Sequence, residues 1–181
     1  MKILGGKYKR KNLIVPLDVR PVSVMVKKSC FDILREEIEG KKVLDLFAGS
    51  GSLGLESLSR GAKEATFIDS EKKSIAVIKK NILSLGLQED TKVILKDSFS
   101  AVQDLFVYKE SFDLIFLDPP YHGGMVTKAL QALKEYDILT RSGYIMAFCY
   151  EKDDYIEEND KFFLILKRKH GKTLNLIYQK R

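Results

Sequence analysis

Short apolar segments alternate along most of the chain with segments in which apolar residues recur at helical spacing. The apolar segments predict strands at residues 43–47, 65–69, 92–95, 112–117 and 144–150. The intervening segments predict helices at about 53–60, 71–85, 100–106 and 123–135. Alternation of this kind is typical of an α/β fold in which helices cover both faces of a mostly parallel sheet.

The C-terminal end of the chain departs from this alternation. Two strand-like segments, residues 162–169 and 173–179, are joined by His170-Gly171-Lys172, and they predict an antiparallel hairpin. We therefore expect five parallel strands followed by a terminal antiparallel pair.

The N-terminal end also differs from the middle. Residues 2–4 and 12–15 flank a polar turn that contains Gly5-Gly6, and they predict a small β-hairpin. A helical pattern follows and stops at Gly40. We divide the chain into a basic N-terminal arm, residues 1–28, and a main α/β domain, residues 29–181.

Charge is distributed unevenly along the chain. The net charge is +6, yet residues 1–28 carry eight basic residues against Asp18 alone, and residues 161–181 carry seven basic residues and no acid. Each end is therefore +7, which leaves −8 for residues 29–160. Basic ends on an acidic body suggest a docking surface for a polyanion, although basic termini can also be merely solvated.

A glycine-rich loop follows the first predicted parallel strand. Gly49, Gly51 and Gly54 form a G-x-G-x-x-G pattern, and Asp69 lies 20 positions after Gly49 at the end of the next strand. Such a loop holds nucleotides in many α/β proteins, and a carboxylate at the position of Asp69 accepts hydrogen bonds from ribose hydroxyls. The pattern therefore predicts a nucleoside-containing ligand.

Asp45 decides between two kinds of nucleoside ligand. A dinucleotide would place its pyrophosphate at the start of the following helix, where the carboxylate of Asp45 would repel it. S-adenosylmethionine (SAM) has an adenosine and an α-amino group but no phosphate, so Asp45 favours SAM over a dehydrogenase cofactor. A carboxylate that only caps the loop is the structural alternative. Asp97, just after the third strand, is a candidate acceptor for the adenine amino group or a helix N-cap.

The segment Asp118-Pro119-Pro120-Tyr121 follows a strand that is apolar enough to be buried. The prolines stiffen the turn and remove two N–H donors, which leaves Asp118 and the carbonyl of Pro119 as rigid acceptors. These groups suit an exocyclic NH₂ on a planar base that stacks on Tyr121. Because SAM is already an activated methyl donor, we expect no metal or covalent nucleophile.

These motifs together resemble the bacterial 16S rRNA guanine-N2 methyltransferase family often called RsmD. The resemblance covers nearly the whole chain, from Ile3-Leu4-Gly5-Gly6 and Arg20-Pro21 through residues 45–62 and 118–121 to Leu176-Ile177-Tyr178. It implies a seven-stranded Rossmann-like fold and methyl transfer from SAM to the N2 amine of a small-subunit rRNA guanine, within a partly assembled ribosomal subunit.

The resemblance also assigns roles to residues. It implies catalysis at Asp118, Pro119, Pro120 and Tyr121. It implies cofactor binding at Asp45, Phe47, Gly49, Gly51, Asp69 and Asp97. The charge of the arm predicts RNA binding at Lys7, Lys9, Arg10, Lys11 and Arg20. The segment 22–28 departs from the family, because the charged residues expected at positions 24, 25 and 28 are apolar or reversed in charge.

Two other functions share some of these features. A DNA adenine-N6 methyltransferase also uses Asp-Pro-Pro-Tyr, but such enzymes flip a base and usually carry a separate recognition domain. A non-catalytic nucleic-acid-binding module could keep the fold, although the intact Asp118 and glycine loop argue against it. No apolar run approaches the ~20 residues of a membrane span. We expect a cytoplasmic monomer that binds 16S rRNA.

Overall fold

The computed structural model describes residues 1–16, 22–121 and 123–181. Its strands are β1 (Lys42–Asp45), β2 (Glu64–Asp69), β3 (Thr91–Leu95), β4 (Phe112–Leu117), β5 (Leu139–Tyr150), β6 (Phe162–His170) and β7 (Thr173–Lys180). They form one seven-stranded sheet in the order β3-β2-β1-β4-β5-β7-β6. β1 to β5 are parallel, and β7 pairs antiparallel with both β5 and β6. The predicted parallel sheet with a terminal antiparallel hairpin is confirmed.

The helices lie in two layers. They are α1 (Val24–Leu34), followed by a 3₁₀ turn (Arg35–Ile38), α2 (Ser52–Ser59), α3 (Lys72–Leu85), α4 (Ser98–Val107) and α5 (Met125–Glu135). Buried residues of α1, α2 and α3 share one core cluster, and those of α4 and α5 share the other. The sheet separates these clusters, as expected for a sheet with helices on both faces.

Strand β5 is longer than its sequence pattern predicted. It begins at Leu139, five residues before the expected start at 144, and Leu139 pairs with Phe112 of β4. The polar segment Thr-Arg-Ser-Gly at 140–143 resembles a loop, which explains the error. The register between β4 and β5 shifts there, so this stretch is an irregular continuation of the strand.

The N-terminal arm has the shape of a hairpin and packs on the α1–α2–α3 side. Lys2 and Asn12 form an antiparallel bridge, and Ile3 and Leu13 are buried in that side's core cluster. Gly6 has a φ of 71°, and a Cβ there would lie 1.7 Å from the carbonyl oxygen of Ser59. A side chain at position 6 would therefore push the arm away from the end of α2.

Glu56 of α2 ties the arm to the body from a fully buried position. Its two carboxylate oxygens each accept a bond of 2.8 Å from a backbone amide of the arm, at Leu4 and at Gly5. They also pair with Lys27 of α1 at 3.1 Å and with Arg60 at 2.9 Å. One carboxylate thus joins α1, α2 and the arm.

Candidate active site

A cavity of about 630 Å³ opens at the carboxyl edge of the parallel strands. Its walls come from the ends of β1 and β2, the loop 47–50, the turn 118–121 after β4, and Thr173 at the start of β7. Val22 and Ser23, just before α1, line it as well. The topology thus brings the glycine loop and the Asp-Pro-Pro-Tyr turn to one cavity, although they lie far apart in sequence.

The glycine loop has the backbone geometry that its sequence predicts. Gly49 and Gly51 have φ of 54° and 75°, in the left-handed region that glycine adopts without strain. Gly51 is the N-cap of α2. At Gly54 a Cβ would lie 2.4 Å from the ring of Phe67, so this glycine lets α2 pack closely on β2. Gly49 lines the cavity, whereas Gly51 shapes the turn behind it.

Asp69 links the end of β2 to the glycine loop. One of its carboxylate oxygens accepts from the Gly49 amide at 2.7 Å, and the other accepts from the Glu71 amide at 2.8 Å. Asp69 also lines the cavity. Each carboxylate oxygen has a second lone pair, so Asp69 can order the loop and still accept a bond from a ligand hydroxyl.

Asp45 is a buried carboxylate of the cavity. Its Oδ2 accepts from the Gly54 amide at 3.1 Å, while Oδ1 has no hydrogen-bond partner among the residues that the structure describes. Burial raises the pKa of Asp45 to about 7; the Gly54 amide opposes this rise, and the nearby charge of Asp69 adds to it. A buried acceptor without a partner is costly, so a cationic donor in the cavity would stabilise it.

The described lining of the cavity is acidic. Asp45, Asp69, Glu71 and Asp118 line it, and no Lys or Arg is among the lining residues that the structure describes. A pyrophosphate normally needs basic side chains or free amides at such a position. This cavity instead suits a ligand that carries positive charge.

Two predicted cofactor residues lie at the edge of this arrangement. Phe47 lines the cavity and packs edge-on against Phe99 of α4, with ring centroids 6.3 Å apart. Asp97 is exposed and caps α4, since Oδ1 accepts from the Ser100 amide at 3.0 Å. Asp97 is not among the residues that line the cavity, but its neighbour Ser98 is.

The Asp-Pro-Pro-Tyr turn is held by a contact with the C-terminal hairpin. Asp118 is half-buried, Pro119 is buried and Pro120 is exposed. The Tyr121 hydroxyl shares a hydrogen bond of 2.9 Å with the Thr173 hydroxyl. All four residues of the turn and Thr173 line the cavity. Sequence reasoning missed Thr173 because its contact with Tyr121 arises only from the pairing of β7 with β5.

Four of the five arm residues predicted to bind RNA lie away from the cavity. Lys7 donates its amide to the Ser59 carbonyl at 2.7 Å, at the C-terminal end of α2, whereas Ser52 at the other end lines the cavity. Eight helical residues separate these ends by ~12 Å. Lys7, Lys9, Arg10 and Lys11 are exposed on this turn, and Arg20 lies outside the described residues.

Comparison with known proteins identifies the family. Residues 1–179 match the family described as conserved hypothetical protein 95. The chain belongs to this family. It is 30% identical over 181 residues to ribosomal RNA small subunit methyltransferase D of Haemophilus influenzae, with 99% of this chain and 93% of that protein covered. The relative of the same name from Buchnera aphidicola (strain APS) is 32% identical over 162 residues, covering 90% of this chain and 77% of that protein. The resemblance to the RsmD family is confirmed.

Solved structures share the fold of this family member. The yhhF protein of Escherichia coli has a TM-score of 0.87 and 26% identity, covering all of this chain and 98% of that one. The 16S rRNA N2 G1207 methyltransferase RsmC of T. Thermophilus, solved with AdoMet and guanosine, has a TM-score of 0.74. At 23% identity, with all of this chain and 49% of that one covered, it shows the fold alone. The expected Rossmann-like fold is confirmed.

Membrane-spanning helices and metal clusters are both absent from the described residues. No helix in those parts of the chain has the length and apolar character to cross a membrane. The same parts hold no group of three or more His, Cys, Asp or Glu side chains arranged for a metal ion.

Proposed function

We propose that this protein transfers a methyl group from SAM to the exocyclic N2 amine of a guanine in small-subunit rRNA. The anionic cavity carries this proposal, with the unpartnered Oδ1 of Asp45 as its decisive feature. SAM has a sulfonium and an ammonium group and no phosphate, so its charge complements the four carboxylates. NAD would bring a pyrophosphate into the same negative field.

The residues of the cavity fit the parts of SAM. Asp45 would accept from the ammonium, and Asp69 from the ribose hydroxyls. Phe47 would contact the adenine ring, and Asp97 its amino group at the open edge. Gly49 would allow the loop backbone to approach the ligand closely, and Gly51 would hold the turn behind it. When bound, SAM supplies a methyl group that is already activated by its sulfonium.

The turn at 118–121 would receive the acceptor base. The carboxylate of Asp118 and the carbonyl of Pro119 would accept the two hydrogens of an exocyclic amine, and the ring of Tyr121 would stack on the base. An aromatic amine is a weak nucleophile because its lone pair is delocalised. Acceptors that hold both hydrogens orient the lone pair toward the methyl group and stabilise the charge that develops on nitrogen.

The choice of guanine N2 and of small-subunit RNA rests on relatives. Proteins at about 30% identity over most of the chain bear the name ribosomal RNA small subunit methyltransferase D. The choice of the guanine N2 amine follows from the sequence resemblance to the RsmD family. We further propose that the arm, residues 1–28, docks RNA through its exposed basic residues, that residues 29–181 form the methyltransferase domain, and that the protein acts as a cytoplasmic monomer.

Labelled SAM tests the proposal directly. The protein would be incubated with total RNA, with purified ribosomal subunits and with DNA, and the labelled nucleoside would then be identified after digestion. We expect N2-methylguanosine from small-subunit rRNA. Methyladenine from DNA would instead identify a DNA adenine methyltransferase, and no transfer to any substrate would support a binding module.

A further inference from the structure

The tip of the β6–β7 hairpin contacts both the Asp-Pro-Pro-Tyr turn and helix α1. Thr173, on one side of the tip, bonds to Tyr121. His170, on the other side, lies with Nε2 2.9 Å from the hydroxyl of Ser29 in α1. The tip is therefore fixed between the Asp-Pro-Pro-Tyr turn and the helix whose first residues follow the cavity wall.

Three exposed basic residues lie next to these contacts along the chain. Lys28 precedes Ser29 on α1, and Lys172 precedes Thr173 in the turn. Arg168 lies two positions before His170 on β6, so both side chains are on the sheet face that α1 covers. Its strand partner is Asn175, two positions after Thr173 on the same face. We name Lys28, Arg168 and Lys172 the basic rim.

The three residues of the basic rim differ in their ion pairs from other basic residues near the C-terminus. Lys169 pairs with Glu151, Lys180 with Asp137 and Arg181 with Glu158. Lys28, Arg168 and Lys172 form no ion pair with any residue of the described parts of the chain. Glu151, which pairs with Lys169, also lies beside the tip, since its amide donates to the Lys172 carbonyl at 2.9 Å. One acid against Lys28, Arg168, Lys169 and Lys172 leaves a net positive charge for an external anion.

The other side of the acceptor site has the opposite charge. Residues 152–160 contain five acids and one lysine. They pack along α5, where Thr127 donates to the Asp154 carbonyl at 3.0 Å and Lys134 pairs with Asp160 at 2.7 Å. Asp153 and Asp154 line a shallow depression that also touches Tyr121. A polyanion at the site would be repelled from the α5 side and attracted to the α1 side.

We propose that the basic rim binds the phosphates next to the target nucleotide and guides the RNA strand across the α1 side of the site. This inference rests on the proposed function and adds the path of the substrate to it. The turn of the arm that carries residues 7–11 lies at the C-terminal end of α2, away from the cavity. It would therefore contact RNA that is more distant from the target nucleotide. Short RNA would then depend on the rim alone, and long RNA on both surfaces.

Matched charge variants separate the two surfaces. The rim variant is K28Q/R168Q/K172Q, and the arm variant K9Q/R10Q/K11Q removes the same number of charges from exposed positions. Fluorescence anisotropy with a short labelled single-stranded RNA would give the affinity of each full-length protein over a series of salt concentrations. Removing the charges that neutralise three phosphates should lower the slope of log affinity against log salt by about 2 in the rim variant. The arm variant should keep the wild-type slope on this RNA.

Two controls make the result decisive. The charge-conserving variant K28R/R168K/K172R should keep the wild-type slope, and calorimetry should show unchanged SAM affinity in every variant. An unchanged slope in the rim variant, or an equal loss in the arm variant, would overturn the proposal. Failure of the proposed function would appear differently, as absence of methyl transfer by the wild-type protein, because the binding measurement requires no turnover.

Discussion

At the scale of single residues, Asp45 combines a folding cost with a binding role. Its ordinary pKa is about 3.9, whereas burial raises it to about 7 in the folded protein. Between these values the folded state holds a proton that the unfolded state has released. Stability therefore falls as the pH rises from about 4 to about 7, and the full cost persists above pH 7.

The variant Asp45→Asn should therefore gain stability and lose function. The amide oxygen can still accept from Gly54, but the desolvated charge is gone, so without SAM the variant should be more stable above pH 7 by an amount on the order of a few kcal/mol. SAM binding should fall strongly because the ammonium loses its counter-charge. Urea unfolding at pH 5 and pH 8, with calorimetry for SAM, measures both effects.

The exposed cap Asp97→Asn is the control for Asp45→Asn, since Asn also caps helices and no burial is involved. It should keep the wild-type stability at pH 8. Equal stability of Asp45→Asn and wild type at both pH values would contradict the buried charge.

Asp118 should be needed for methyl transfer but not for SAM binding. In the proposed geometry it holds a hydrogen of the acceptor amine, so Asp118→Ala should lower the rate of methyl transfer by at least ~10²-fold. SAM affinity should change little, because Asp45 and Asp69 hold the other parts of that ligand. A single-turnover assay with labelled SAM measures the rate of methyl transfer, and calorimetry measures SAM affinity. Near-normal turnover in the variant would remove Asp118 from the reaction.

At the scale of elements, the buried carboxylate of Glu56 is the main connection between α2, α1 and the arm. Lys27 is fully buried beside it, and its Nζ also donates to the Lys2 carbonyl at 3.1 Å. Burial lowers the pKa of Lys27, and the charge of Glu56 opposes that effect. The ammonium of Lys27 therefore depends on Glu56 for its counter-charge.

Glu56→Gln should consequently destabilise the fold by ~3–5 kcal/mol, the usual cost of removing one partner of a buried ion pair. Glu64→Gln is the matched control, because Glu64 pairs with Lys42 at a partly exposed site. The control should cost less than ~1 kcal/mol. Urea unfolding measures the stability of both variants. A similarly small loss of stability in Glu56→Gln and Glu64→Gln would mean that the arm does not depend on the Glu56 carboxylate.

The sequence predicted the elements better than their connections. The apolar segments identified β1 to β4 because buried parallel strands are almost continuously apolar. They missed the start of β5, where pairing with β4 overrides a polar, loop-like segment. Glu56 and Thr173 act through partners 52 positions away in the chain, at Leu4 and Tyr121, and only the folded topology reveals such contacts.

At the scale of the whole molecule, the two basic ends take different positions around the fold. The arm turn contacts the C-terminal end of α2, and the hairpin tip contacts the acceptor site at the other end of the parallel strands. The net charge of each end, counted from the sequence, could not distinguish these two positions. It also could not show that Lys180 and Arg181 form ion pairs with acidic side chains. A long RNA could contact both ends at once, whereas a short one could not.

The arm should therefore matter most for long RNA. On full-length small-subunit rRNA, K9Q/R10Q/K11Q should bind more weakly and lower the slope of log affinity against log salt by ~0.7 for each single-stranded phosphate that the arm no longer neutralises. Thermal stability and SAM affinity should barely change, since these side chains are exposed while Ile3, Leu13 and the Glu56 contacts hold the arm. Filter binding over a salt series, with a thermal melt as control, measures this. A variant that unfolds, or one that binds the long RNA with the wild-type slope, would instead mean that the arm serves only to cover the edge of the fold.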